Sequence, residues 1–130
     1  MKTELQQMSS ANVFELVNGL TLPQKIERTL DLISDAYNEY GKHLVVANSL
    51  GKDSCVVWDL AKRVSKDIRG FIVTTPYKPV ETKLYMRNFV KRYPETQIFE
   101  SSSTVDKLYE TDPDGCCEIY KVDPTRVALE

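Results

Sequence analysis

Apolar positions recur along this chain with two different periods, and the changes of period mark out its elements. Between Lys25 and Tyr37 they fall at helical spacing, with Ile26, Leu30, Ile33 and Tyr37 on one face. Pro23 suits the start of such a helix and Gly41 its end. Leu44-Val45-Val46-Ala47 is a short apolar run, and residues 43–48 read as a buried strand. A helical segment, Cys55-Val56-Val57-Trp58-Asp59-Leu60-Ala61, follows a small polar turn and runs to about Lys66. Ile68 to Thr74 predicts a second strand, with Gly70 near its start. Glu81 to Tyr93 predicts a helix with Leu84, Phe89 and Val90 facing inward, ended by Pro94. Thr96 to Glu100 is a third, short strand.

The flanking segments are less regular. Residues 1–12 are polar and read as a mobile lead, and Val13–Val17 as a short helical turn. Two prolines make Thr75-Pro76-Tyr77-Lys78-Pro79 a loop. Ser101-Ser102-Ser103 is a turn that caps a helix from Thr104 to Tyr109, and Asp112-Pro113-Asp114-Gly115 is a turn signal. Glu118 to Glu130 reads as helical despite Pro124.

The order β-α-β-α-β implies an α/β fold with a parallel sheet and right-handed crossovers. Ligands of such sheets bind outside the carboxyl ends of the strands. The loops at 49–54, 75–80 and 101–104 all fall on that edge. The first strand is not followed by G-x-G-x-x-G, so neither NAD nor a flavin is expected.

Composition narrows the class. With 130 residues the chain is expected to form a single domain, and 42% hydrophobic with 28% charged residues is the balance of a globular protein. A net charge of −2 argues against a nucleic-acid partner held by a broad basic surface. The apolar runs are too short to span a membrane, and residues 1–7 lack a signal-peptide core. Cytoplasm is the expected location. The three cysteines, two of them adjacent, do not form a disulfide framework and fit a reducing compartment.

The turn Ser49-Leu50-Gly51-Lys52-Asp53-Ser54 carries the first chemistry. Strand, tight loop and helix N-terminus is the geometry that binds phosphate, because unpaired N–H groups and the helix dipole favour an anion. Gly51 allows close backbone approach, Lys52 adds a point charge, and Ser49 and Ser54 offer hydroxyls. Asp53 or a serine can equally serve as an ordinary cap of a solvated turn. The spacing is not that of a Walker A loop. It resembles the S-G-G-x-D-S loop of the ATP-pyrophosphatase-type, adenine nucleotide α-hydrolase-like superfamily, with Leu50 in place of the first glycine.

A second resemblance is narrower. Cys116-Cys117-Glu118-Ile119-Tyr120-Lys121-Val122-Asp123-Pro124 is similar to the C-C-x-x-R-K-V-x-P-L segment of the adenylyl-sulfate (APS) reductases, relatives of the phosphoadenylyl-sulfate (PAPS) reductases. Thr75, Tyr77, Glu81 and Thr82 match the family segment D-T-G-Y-H-F-P-E-T, where Thr74 replaces the aspartate and Pro76 the glycine. By this resemblance Cys116 and Cys117 supply two of four thiolates to a [4Fe–4S] cluster. Lys121 lies near that cluster, and Tyr120 stands where the family has arginine. Ser49, Gly51, Lys52, Asp53, Ser54, Thr75, Tyr77 and Lys121 are the expected substrate-binding residues. Taken by themselves, adjacent cysteines can also be small core residues or zinc ligands, although zinc sites favour C-x₂₋₄-C. Cys55, on an apolar helix, is expected to be core.

What the resemblance implies is a Rossmann-like domain, truncated after its third or fourth βα unit, of an enzyme that reduces activated sulfate to sulfite. AMP or its 3′-phosphorylated form is released, with thioredoxin or glutaredoxin as donor. The tandem cysteines favour adenylyl sulfate over phosphoadenylyl sulfate. The family's later C-x-x-C and its nucleophilic cysteine before Gly-Leu-His do not occur here, so no catalytic nucleophile is assigned. A second chain or a homo-oligomer would complete the cluster. Two alternatives stay open: an ATP-pyrophosphatase-type nucleotidyl transferase, and a non-catalytic nucleotide-binding domain.

Overall fold

A computed structural model describes residues 7–103 and 107–130. The expectations for residues 1–6 and for the start of a helix at Thr104 lie outside these. The described residues form two units, 7–44 with 59–68, and 45–58 with 69–103 and 107–130.

In the first unit, helix α1 spans Ser10–Gly19, longer than the turn expected at Val13–Val17. It starts within the polar lead because the Ser9 hydroxyl accepts from Asn12 N at 3.3 Å and caps it. Helix α2, Leu22–Tyr40, opens on a capping box. Thr21 Oγ1 accepts from Gln24 N, and Gln24 Oε1 accepts from Thr21 N at 2.8 Å. Gly41 ends it at φ 53, a conformation that glycine adopts without strain. The expected face of α2 is only half-buried at Ile26, Leu30, Ile33 and Tyr37. Residues 41–43 form a single 3₁₀ turn, so the first strand starts later than expected.

The second unit holds the sheet. Strand β1 is Val45–Ala47, β2 is Arg69–Thr74 and β3 is Thr96–Glu100. All pairings are parallel in the order β1-β2-β3, with Val46 opposite Gly70 and Gly70 opposite Thr96. This is the α/β parallel-sheet class expected. Helix α3, Lys52–Val64, connects β1 to β2, and helix α4, Val80–Arg92, connects β2 to β3. Gly70, Phe71, Ile72 and Thr74 are buried, as a central strand covered on both faces requires.

An aromatic cluster anchors α4. The Trp58 ring lies 5.7 Å from Phe89 and 5.4 Å from Tyr93, and Phe89 lies 4.9 Å from Tyr93. Burial of such rings dominates the energetics of a small core. Gly70 belongs to this arrangement. A Cβ there would stand 2.5 Å from Trp58 Cζ3, so the missing side chain is the space that the indole fills. Leu84 is 52% exposed, against the expectation of an inward position.

After β3 come α5, Leu108–Thr111, and α6, Pro113–Cys117. The segment Asp112–Gly115 is therefore a helix start rather than a free turn. Asp112 Oδ1 accepts from Gly115 N at 3.1 Å, and Pro113 occupies the first turn. A π-helical turn, Glu118–Val122, leads into α7, Asp123–Leu129, with Pro124 at its start, where it lacks no needed N–H.

Candidate functional site

Asn48 closes β1, and its N–H donates to Phe71 O at 2.9 Å. Its side chain then turns the chain: Oδ1 accepts from Leu50 N at 2.8 Å. Leu50 sits at φ 63, the left-handed region that a residue with a Cβ enters only at a cost. Gly51 is not in that region, and a Cβ there would meet only Ser49 Oγ at 3.5 Å. Packing within the chain does not demand this glycine, and its bare Cα leaves the outer side of the turn open. Ser49 Oγ and Ser54 Oγ lie 2.9 Å apart, and Ser54 Oγ also donates to Gly51 O at 3.3 Å. Cys55 N donates to Gly51 O at 3.0 Å, which opens α3. The amides before it belong to the helix end that has no intrahelical acceptor.

A cavity of about 360 Å³ lies at the carboxyl edge of β1 and β2. Ala47, Phe71 and Val73 give it an apolar wall. Asn48 and Ser49 line it from the first loop, Thr75 and Lys78 from the second, and Lys121 and Thr125 from the C-terminal turns. Two ammonium groups, hydroxyls and an amide face no carboxylate in this lining, which suits an anionic ligand with an apolar portion.

Of the expected binding residues, Ser49, Thr75 and Lys121 meet around this cavity. Gly51, Lys52, Asp53 and Ser54 do not line it. Lys52 and Asp53 pair with each other at 3.1 Å, both side chains 91% exposed. The described residues of the Ser101–Ser103 loop line it neither. Asn48 and Thr125 were not expected, and Lys78 had no assigned role. The signal for Asn48 was present, since asparagine commonly bonds to the backbone two residues on.

A second cavity of about 280 Å³ shares Thr75 and Lys121 with the first, and is also lined by Tyr77, Cys116 and Cys117. Tyr77 is held edge-on by Tyr109 at 5.1 Å and Tyr120 at 5.5 Å. Tyr120 is buried, so an aromatic support stands where a guanidinium was the family expectation. Lys121 belongs to the π-helical turn, a feature that often marks functional sites. Thr125 Oγ1 donates to Lys121 O at 2.6 Å, and Arg126 bridges Asp123 and Glu118 at 2.9 and 3.1 Å, joining this turn to α7.

The cysteine pair ends α6. Gly115 leaves room there for the Asp112 carboxylate that caps this helix; a Cβ at this position would displace it. Cys116 is half-buried, Cys117 is exposed, and both are free thiols. Two soft ligands thus face one cavity, a donor set that suits iron–sulfur or zinc chemistry. They fill half of a four-thiolate set. Among the described residues, no group of three or more His, Cys, Asp or Glu could hold a metal ion. Cys55 is elsewhere and half-buried, with Sγ 3.8 Å from Tyr85 Oη. That contact holds the Tyr85 hydroxyl above its ordinary pKa.

Comparison with known proteins gives consistent matches. Residues 43–130 match the family model of the phosphoadenosine phosphosulfate reductase domain. The adenosine 5′-phosphosulfate reductase of Halalkalibacterium halodurans is 33% identical over 125 residues, covering 87% of this chain and 54% of that protein. That of Bacillus velezensis is 31% identical over 123 residues, covering 85% and 53%. Adenosine 5′-phosphosulfate reductase 1 of Bacillus subtilis is 33% identical over 110 residues, covering 77% and 47%. The chain spans about half the length of these curated relatives.

Proposed function

The chain belongs to the phosphoadenosine phosphosulfate reductase domain family, and from that premise we propose that it forms the nucleotide-binding part of an adenylyl-sulfate reductase. One observation carries this proposal. The anion-accepting cavity at the strand ends shares Thr75 and Lys121 with a second cavity lined by the cysteine pair. A nucleotide ending in a sulfate group needs such a site: an apolar wall for the nucleoside, donors for the phosphate, and a cation where the sulfur reacts.

In this proposal Ala47, Phe71 and Val73 receive the nucleoside. Ser49, Lys78 and the amides of the first loop bind the phosphate, with Gly51 leaving room for it and Lys52 adding long-range charge beside Asp53 and Ser54. Lys121, with Thr75 and Tyr77, attends the sulfate. The reaction is attack of a thiolate on the sulfate sulfur, with cleavage of the sulfur–oxygen bond to phosphate and departure of AMP. A thioredoxin or glutaredoxin dithiol in the cytoplasm then supplies two electrons, becomes a disulfide and releases sulfite. None of the cysteines here is assigned as that nucleophile. Lys121 stabilises charge that grows on the departing phosphate oxygen of AMP as the sulfur–oxygen bond breaks. Cys116 and Cys117 fit two positions of a [4Fe–4S] cluster, with two thiolates from a second chain or a second copy. When bound, the cluster adds to the polarisation of the sulfate group. The tandem pair favours adenylyl sulfate over its 3′-phosphorylated form.

Titration of the 130-residue chain with adenylyl sulfate by calorimetry tests this. Saturable binding is expected, with ATP binding weaker and releasing no pyrophosphate in the presence of magnesium. Pyrophosphate release would replace the proposal with a nucleotidyl transferase, and no binding of adenylyl sulfate would remove it.

A further inference from the structure

Asn48 is a buried carboxamide, 3% exposed, in the wall of the anion-accepting cavity. Only half of it is satisfied. Oδ1 accepts from Leu50 N at 2.8 Å, whereas Nδ2 is buried with no hydrogen-bond partner among the described residues. A buried donor without an acceptor is costly, and an apolar residue of similar size would avoid it. What such a residue would lose is the acceptor to which Leu50 N donates.

That bond falls on the loop's most strained position. Leu50 holds φ 63, and a leucine there meets steric opposition that a glycine would not. The neighbouring Gly51, which could adopt such a conformation freely, does not. Leu50 sets the direction in which the chain leaves β1 and enters α3, and hence where the amides of the first helical turn face. Strain and an orphaned buried donor, together in three residues, are the kind of local cost that functional sites retain.

We propose that Asn48 is a positioning residue: its carboxamide holds Leu50 in the left-handed conformation and thereby presents the loop amides to the nucleotide's phosphate. The ligand identity rests on the adenylyl-sulfate proposal above; the positioning role does not. It follows that Asn48 is needed because residue 50 is a leucine. A glycine at residue 50 would take the same conformation unaided.

A double-mutant cycle in the full chain decides this, with Asn48→Leu, Leu50→Gly and the combination. Two quantities are read: the dissociation constant for adenylyl sulfate, and hydrogen exchange at the backbone amides of residues 49–54. Asn48→Leu is expected to raise the constant about tenfold, the equivalent of one charge-assisted or buried hydrogen bond, and to speed exchange at Leu50. Leu50→Gly alone is expected to stay within about threefold of the parent, and the double variant to recover most of the loss. An equal loss in both backgrounds overturns the proposal, because Asn48 then acts by direct contact or by general packing. Unchanged affinity and exchange in Asn48→Leu overturns it as well. Should the parent chain bind no adenylyl sulfate, the functional proposal fails, and exchange at Leu50 still decides the role of Asn48. Slow exchange at Leu50 in Asn48→Leu would then end it. An Asn48→Asp variant, which keeps the acceptor, provides a folded control if Asn48→Leu does not fold.

Discussion

Lys52 and Lys121 are the two cations that the sequence placed at the site, and their surroundings rank them. Lys52 is paired with Asp53, and both side chains are 91% exposed, so water screens what either can offer an anion. Lys121 lines both cavities and is fixed in a π-helical turn tied to α7. A hydrogen bond to a charged group is worth about 1.5–3 kcal/mol. Lys121→Ala should therefore weaken adenylyl sulfate about tenfold or more, and Lys52→Ala less than about threefold. Calorimetry on the two variants checks the order, and the reverse order would move the charge contact to the helix end. Gly51→Ala separates folding from binding in the same loop. An added Cβ meets only Ser49 Oγ at 3.5 Å, so thermal unfolding should report a loss below about 1 kcal/mol, while adenylyl sulfate affinity falls because the loop's open side is filled. Motif positions were legible in the sequence because their chemistry is local: a serine beside a glycine turn, a lysine after a cysteine pair. Lys78 and Thr125 were not, because which side chains share a cavity depends on how separate segments of the chain meet.

Helix α4 and strand β2 show where element-level reasoning succeeds and where it slips. Strand β3 runs from Thr96 to Glu100, the bounds expected for it. Leu84 was grouped with Phe89 as inward-facing, yet five residues separate them, about 140° around a helix of 3.6 residues per turn. Phe89 and Tyr93, four apart, are the pair that meets Trp58. Asp112-Pro113-Asp114-Gly115 reads as a turn because aspartate, proline and glycine also build helix starts, and residue type alone does not separate the two. The tightest constraint between elements is one the sequence hid altogether. Gly70 is a glycine because the Trp58 ring occupies the place of its side chain. Gly70→Ala is expected to cost about 1–3 kcal/mol by overpacking. In the double variant with Trp58→Phe the total should fall short of the sum of the single losses, since the smaller ring vacates part of that space. Denaturant unfolding of the four proteins measures it, and strict additivity would mean that the two residues do not compete.

At the scale of the whole molecule, ligand count is the quantity that matters. A cysteine-ligated [4Fe–4S] cluster takes four thiolates. The site holds Cys116 and Cys117, and Cys55 does not line it but lies 3.8 Å from Tyr85 Oη. The chain spans about half the length of the curated relatives it matches, and the cluster proposed above takes its other two thiolates from a second chain or a second copy. On that proposal, iron and sulfide are retained where thiolates from more than one chain converge. Anaerobic reconstitution followed by size-exclusion chromatography, with iron and sulfide measured across the profile, makes this concrete. Iron is expected to travel with an assembled species and to be absent from the monomer. It should be lost from every fraction in the Cys116→Ser/Cys117→Ser double variant, while Cys55→Ser retains it. Serine preserves size, and Cys117 is exposed, so the double variant should still fold and its unfolding temperature serves as the control. Iron on the monomer would show that other side chains of this chain complete the set. Iron on the double variant would take the metal away from the cysteine pair, leaving the second cavity to the sulfate end of the nucleotide alone.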